Sequence, residues 1–112
     1  MILMLIKQEK IKFDGIEFII ELNGQQVGHT YLYLMRNRLH TQPFGFIENV
    51  YAKENYRGQG LGKGLVEEMI KEARRLGYYK IILTARYTKL KIQEFYEQLG
   101  FKDRGREFRM DL

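Results

Sequence analysis

The sequence has no cysteine, no tryptophan, a single proline and two histidines. Without cysteine there can be no disulfide framework, no thiolate zinc site and no cysteine nucleophile. His29 and His40 alone are too few for most histidine metal sites, so no metal is expected. With so little proline, turns fall mainly to the 11 glycines. Long apolar runs are also missing. Met1-Ile2-Leu3-Met4-Leu5-Ile6 is far shorter than the roughly 20 residues of a membrane span, and it has no small-residue cleavage site behind it. No membrane association is expected, and a cytoplasmic location is the default expectation.

What is present points to one ordered domain over residues 1–112. Hydrophobic residues make up 45% and aromatics 13%, which argues against disorder. Surface scaling for a chain of this size gives a folded area of roughly 6,500 Å², with about two-thirds of the unfolded surface buried. The 19 basic and 14 acidic residues leave a formal charge of +5. A basic chain favours anionic partners: nucleic acid, an acidic membrane or a polyphosphate ligand.

The first half reads as β-structure and the second as helices around a short strand. Strands are expected over Met4–Lys10, Glu17–Leu22, Gln26–Arg36 and Phe44–Tyr51, with Asn23-Gly24 as a tight hairpin turn. Leu61, Leu65, Val66, Met69, Ile70, Ala73 and Leu76 fall on one face of a helix, with Gly77 just past its end. Lys80–Ala85 reads as a buried strand. Thr88 can cap a second helix carrying Ile92, Phe95, Tyr96 and Leu99, which Gly100 ends. Phe108–Leu112 reads as an edge strand. The expected fold is α+β in the order β-β-β-β-α-β-α-β. Its mixed sheet would have six or seven strands around a central parallel βαβ unit from Phe44 to Ala85.

The stretch Asn55-Tyr56-Arg57-Gly58-Gln59-Gly60-Leu61-Gly62-Lys63-Gly64 joins a strand to a helix. Alternate glycines leave backbone N–H groups uncovered, a helix N-terminus adds unpaired donors, and Arg57 and Lys63 add charge. In physical terms this is an anion cradle. It is not a Walker A loop: the first glycine of that pattern would fall on Arg57, and Gly64 stands where Ser or Thr is required. Nor does G-x-G-x-x-G fit from any starting glycine.

Arg57-x-x-Gly60-x-Gly62 resembles the R/Q-x-x-G-x-G/A signature of the GNAT superfamily of N-acetyltransferases. Phe95-Tyr96-Glu97-Gln98-Leu99-Gly100-Phe101 looks like that family's F-Y-E-x-L-G-F segment, and Asn23–Gly28 looks like one of its hairpins. The resemblance covers roughly Phe18 to Phe101. It implies acetyl-CoA as cosubstrate and an amine acceptor. Transfer would be direct and sequential, since no cysteine is there to carry an acyl group. Gln59, Gly60, Leu61, Gly62 and Lys63, with Gly58 and Arg57, would hold the pyrophosphate. The backbone of Val50, Tyr51 and Ala52 would pair with the pantetheine arm, and Val50 would supply an oxyanion-type donor. Glu48 matches the catalytic glutamate of several members, and Tyr96 matches the tyrosine that faces the CoA sulfur.

His29, Tyr31 and Tyr33 share one face of their strand and are candidates for an acceptor pocket. Many members carry Asn and Ala where this sequence has Lys89 and Ile92. Lys89 is then a candidate phosphate contact, while Ile92 narrows the cofactor space. The family also places two helices between its first two strands, and the short stretch between Lys10 and Glu17 has no room for them. An open acceptor side is expected, or a homodimer in which a second subunit supplies the wall. The basic composition weighs against a polycationic acceptor. The alternative readings are a catalytically weak CoA-binding or interaction protein and, less favoured, a basic nucleic-acid-binding module; the known nucleic-acid motifs are not visible.

Overall fold

Asn23 and Gly24 both sit at positive φ, 52° and 78°. That pair of left-handed residues matches the twist of two antiparallel strands. The turn closes β1 (Gly15–Leu22) onto β2 (Gln25–Met35), with Phe18 opposite Thr30 and Glu17 opposite Tyr31. β2 then pairs antiparallel with β3 (Phe44–Ala52). A single 3-10 turn, Glu54–Tyr56, leads through the glycine loop into α1 (Leu61–Arg75). The chain returns as β4 (Ile81–Ile82), parallel to β3, and ends its regular structure in α2 (Leu90–Gln98). The sheet order is β1-β2-β3-β4. This computed structural model describes residues 3–112.

The alternation of the strands decides which side chains meet α1. Leu32 and Ile47 are register partners on β2 and β3, and both are buried. They join Val66 and Met69 of α1 in the core cluster, with Phe95, Tyr96, Leu99 and Phe101 packed against it. Both helices therefore lie against the same body of side chains. The helix face read from the sequence is the one buried: Leu65, Val66, Met69 and Ala73.

The mixed α+β architecture is as expected, but the sheet has four strands among the described residues rather than six or seven. Residues 3–14 form no strand and are exposed throughout, as are residues 102–112. The expected strands at Met4–Lys10 and Phe108–Leu112 are therefore absent; the part of the opening apolar run before Leu3 lies outside the described residues. The physical reason is pairing. An apolar run becomes a strand only when a neighbour satisfies its backbone, and neither segment meets one. The Lys80–Ala85 strand shrinks to Ile81–Ile82 for the same reason, because the chain leaves β3 after that point. These unpacked ends raise the accessible surface to 10142 Å², against the roughly 6,500 Å² expected of a compact chain. No helix among the described residues is long and apolar enough to cross a membrane.

Candidate active site

β3 and β4 pair only at Gly45–Ile81 and Phe46–Ile82. Bonds from Gly45 N–H to Lys80 O (3.0 Å) and from Tyr79 N–H to Pro43 O (3.1 Å) hold this end closed. Beyond Phe46 the two chains part. The gap is a cleft of about 320 Å³ bordered by Ile47, Glu48 and Val50 on one side and Leu83 and Ala85 on the other. Lys89, Ile92 and Tyr96 of the α2 region form its floor and flank. Glu48, Val50, Lys89 and Tyr96 thus meet at a single cleft.

A bulge in β3 sets which backbone groups face that cleft. Tyr31 pairs with Glu48 and His29 with Tyr51, so Thr30 alone stands opposite Asn49 and Val50. Asn49 takes up the extra residue at φ 57°, a conformation Asn tolerates better than most side chains. Thr30 Oγ1 donates to Glu48 O at 3.2 Å and ties the bulge to β2. Before the bulge, Gly45 turns its N–H toward β4; after it, Lys53 turns its N–H toward Val27 O, on the β2 side. Backbone groups alternate sides along a strand. Counting back from Lys53, Val50 and Ala52 face the opening, and Tyr51 faces β2. Of the three residues read as partners of an extended ligand, Tyr51 therefore turns its backbone to β2, and its ring lies against His29 at 5.2 Å. Asn49 drew no attention in the sequence, although an Asn within a strand is a bulge signal.

The glycine loop begins where β3 ends. Gly58 and Gly60 sit at φ 80° and 81°, and a Cβ on either would touch nothing within 4 Å. Packing against the chain does not explain these glycines; open space and backbone shape do. Gly60 caps α1 without any side-chain hydrogen bond to the first turn. The helix therefore presents its N-terminal amides to the loop region. Arg57 is exposed and turned back: Nε donates to Ala52 O at 2.9 Å, and the guanidinium lies 5.8 Å from the centre of the Tyr51 ring. Lys63 reaches Glu67 at 3.8 Å on the solvent side of α1.

Tyr96 is half-buried between Phe95 and Phe101, at ring distances of 5.1 and 5.7 Å. Burial pushes its hydroxyl above the ordinary tyrosine range. The hydroxyl thus stays protonated through neutral pH and can serve as a donor. Lys89 is exposed and stands at the N-cap of α2 without a capping bond, in place of the expected Thr88.

A model of the Acetyltransferase (GNAT) family matches residues 3–101. The chain belongs to this family. It is 43% identical over 68 residues to the glucosamine 6-phosphate N-acetyltransferase of Trypanosoma brucei brucei, a match covering 61% of this chain and 44% of that protein. It is 38% identical over 53 residues to human N-acetyltransferase 8B, covering 47% of this chain and 23% of that protein. The chain therefore spans less than half the length of these curated relatives. Among solved structures, a Trypanosoma brucei acetyltransferase superposes with a TM-score of 0.77 at 33% identity, covering 88% of this chain and 69% of the other. The glucosamine-6-phosphate N-acetyltransferase of Arabidopsis thaliana superposes with a TM-score of 0.79 at 25% identity, covering 88% and 67%.

On the far face of this GNAT sheet, the third set of candidates forms a continuous row. The His29 and Tyr31 rings lie 5.7 Å apart, and Tyr31 stacks on Tyr33 at 6.0 Å with 5° between planes. Asn49 Nδ2 lies 3.1 Å from His29 Nε2, joining the row to the bulge. Glu48 is exposed and stands on this face opposite Tyr31, at the rim of the cleft. No group of three or more His, Cys, Asp or Glu side chains suited to a metal comes together among the described residues.

Proposed function

We propose that this GNAT domain transfers an acetyl group from acetyl-CoA directly to a primary amine. The observation that carries this reading is the cleft where β3 and β4 part. It brings a bulged strand with outward amides, a protonated tyrosine and a carboxylate to one place, and the glycine loop lies at the end of β3. The groups fit the cosubstrate. An extended amide-bearing arm suits the outward amides of Val50 and Ala52, and a pyrophosphate suits the amides of Gln59 to Lys63. Lys89, at the same cleft, would meet a further phosphate.

Acetyl-CoA supplies the activated acyl group. The Val50 N–H stabilises charge developing on the acyl oxygen. Glu48 takes the proton the amine sheds, through a water, as the C–N bond forms. Tyr96 gives its proton to the departing sulfur as the C–S bond breaks, and is reprotonated from solvent. The absence of cysteine favours this single displacement over an acyl-enzyme. The test is a thermal melt with acetyl-CoA. At a hundred times Kd, stabilisation of about 2.7 kcal/mol is expected. No shift at millimolar acetyl-CoA overturns the reading. Analytical ultracentrifugation of the same sample reads whether a second subunit closes the acceptor side, as a homodimer would.

A further inference from the structure

The charge of this chain is strongly segregated. None of the 19 basic residues falls within β1, β2 or β3, and those strands carry Glu17, Glu21 and Glu48. The sheet is therefore anionic inside a chain of net charge +5. The composition, which weighs against a cationic acceptor, averages over a difference that the fold keeps separate.

Register places two of those carboxylates in one line. Tyr31 on β2 is opposite Glu17 on β1 and opposite Glu48 on β3. All three point away from the helices. Two strand spacings separate the carboxylate-bearing backbones, roughly 10 Å. Glu17 stands directly across from Tyr31 in the register, and the carboxylate raises the Tyr31 hydroxyl above its ordinary range, in keeping with a position beside it. Glu48, at the other end, has no ion-pair partner among the described residues. Tyr31 and Tyr33 present a stacked aromatic floor beside this line. Aromatic faces attract cations, and a carboxylate at each end attracts a charge at each end.

Resting on the acetyltransferase reading, we infer that Glu17, Tyr31 and Glu48 form an acceptor subsite for an elongated dication. One ammonium group would sit at Glu48 beside the cleft, and a second positive charge at Glu17, with an apolar linker over Tyr31. The reactive amine must shed its proton at Glu48; the distal charge is held and stays charged. An acceptor with a phosphate at its far end would meet Glu17 and be repelled.

The test measures binding and transfer separately. Calorimetric titration compares 1,5-diaminopentane, 1-aminopentane and glucosamine 6-phosphate against the full chain. The diamine is expected to bind about fivefold tighter than the monoamine, the upper range for an exposed charge pair, and the advantage should shrink in high salt. In Glu17→Gln the advantage disappears, whereas Glu21→Gln, on the same strand outside the row, keeps it. In turnover assays Glu17→Gln raises KM for the diamine with little change in kcat. Equal affinity for the two amines, survival of the preference in Glu17→Gln, or tighter binding of glucosamine 6-phosphate overturns the inference. Acetyl-CoA melts run in parallel separate the two readings. Without cofactor stabilisation the acetyltransferase reading falls, and the diamine titration still decides the subsite. With transfer but no diamine preference, the subsite alone falls.

Discussion

The two faces of the sheet are built from the same strands, residue by residue in alternation, yet they differ in what covers them. One face puts Leu32 and Ile47 under Val66 and Met69 and is sealed by both helices. The other carries His29, Tyr31, Tyr33 and Glu48, and no helix lies on it among the described residues. Burial gives the first face its energy, since close-packed apolar contacts scale with area removed from water. The second face keeps polar atoms at the tips of large rings, suited to a surface that meets water and a ligand in turn. Stability thus lies on one side of a single layer, and the recognition proposed above on the other.

That division can be broken most directly at Met69, which is 0% exposed. Met69→Ala is expected to cost about 2–5 kcal/mol in urea unfolding. Next is Tyr96, which belongs to the sealed side and still reaches the cleft. Tyr96→Phe should lower kcat roughly 100-fold, the lower range for a general acid, with little loss of stability. Full turnover in this variant removes its acid role. The same residue has an alkaline signature. Its raised pKa means the unfolded chain loses this proton first as pH climbs. Stability is intact below the ordinary tyrosine pKa of about 10 and falls as pH rises through the folded value. Melts of the wild type and Tyr96→Phe above that pH should show a shallower fall in the variant.

Gly60→Ala comes third. Its left-handed backbone should cost about 1–2 kcal/mol, with weaker stabilisation by acetyl-CoA. Smallest is Tyr33→Ala on the open face, expected to change stability by about 0.2–1 kcal/mol. A loss there as large as that at Met69 would show that the open face is core after all.

How much of this was legible beforehand depended on whether the cause was local. The Asn23-Gly24 turn, the α1 face and the glycine loop are all specified by residues within one turn of each other, and each formed as read. The strands at Met4–Lys10 and Phe108–Leu112 depended on a partner elsewhere in the chain, which hydropathy cannot supply, and neither formed. Glu48 and Tyr96 were read through family resemblance, and the cleft that joins them needs the fold. Asn49 and Glu17 were passed over. The first matters through a backbone angle, and the second through register with two other strands. Neither property is visible in the residue itself.

Asn49 has a consequence for how this chain can change over time. β3 behaves like a text with a reading frame, and the bulge is a one-letter insertion that shifts it. Before the insertion one set of alternate residues addresses the cleft; after it, the other set does. Substitutions at Val50 or Ala52 alter side chains and leave their amides where they are. Deleting Asn49 would close the ladder with Val50 and Ala52 still addressing the cleft, whereas flattening the bulge with every residue kept would carry the first frame on and turn Asn49 and Tyr51 to the cleft instead. Within this segment, length and bend must change together or not at all.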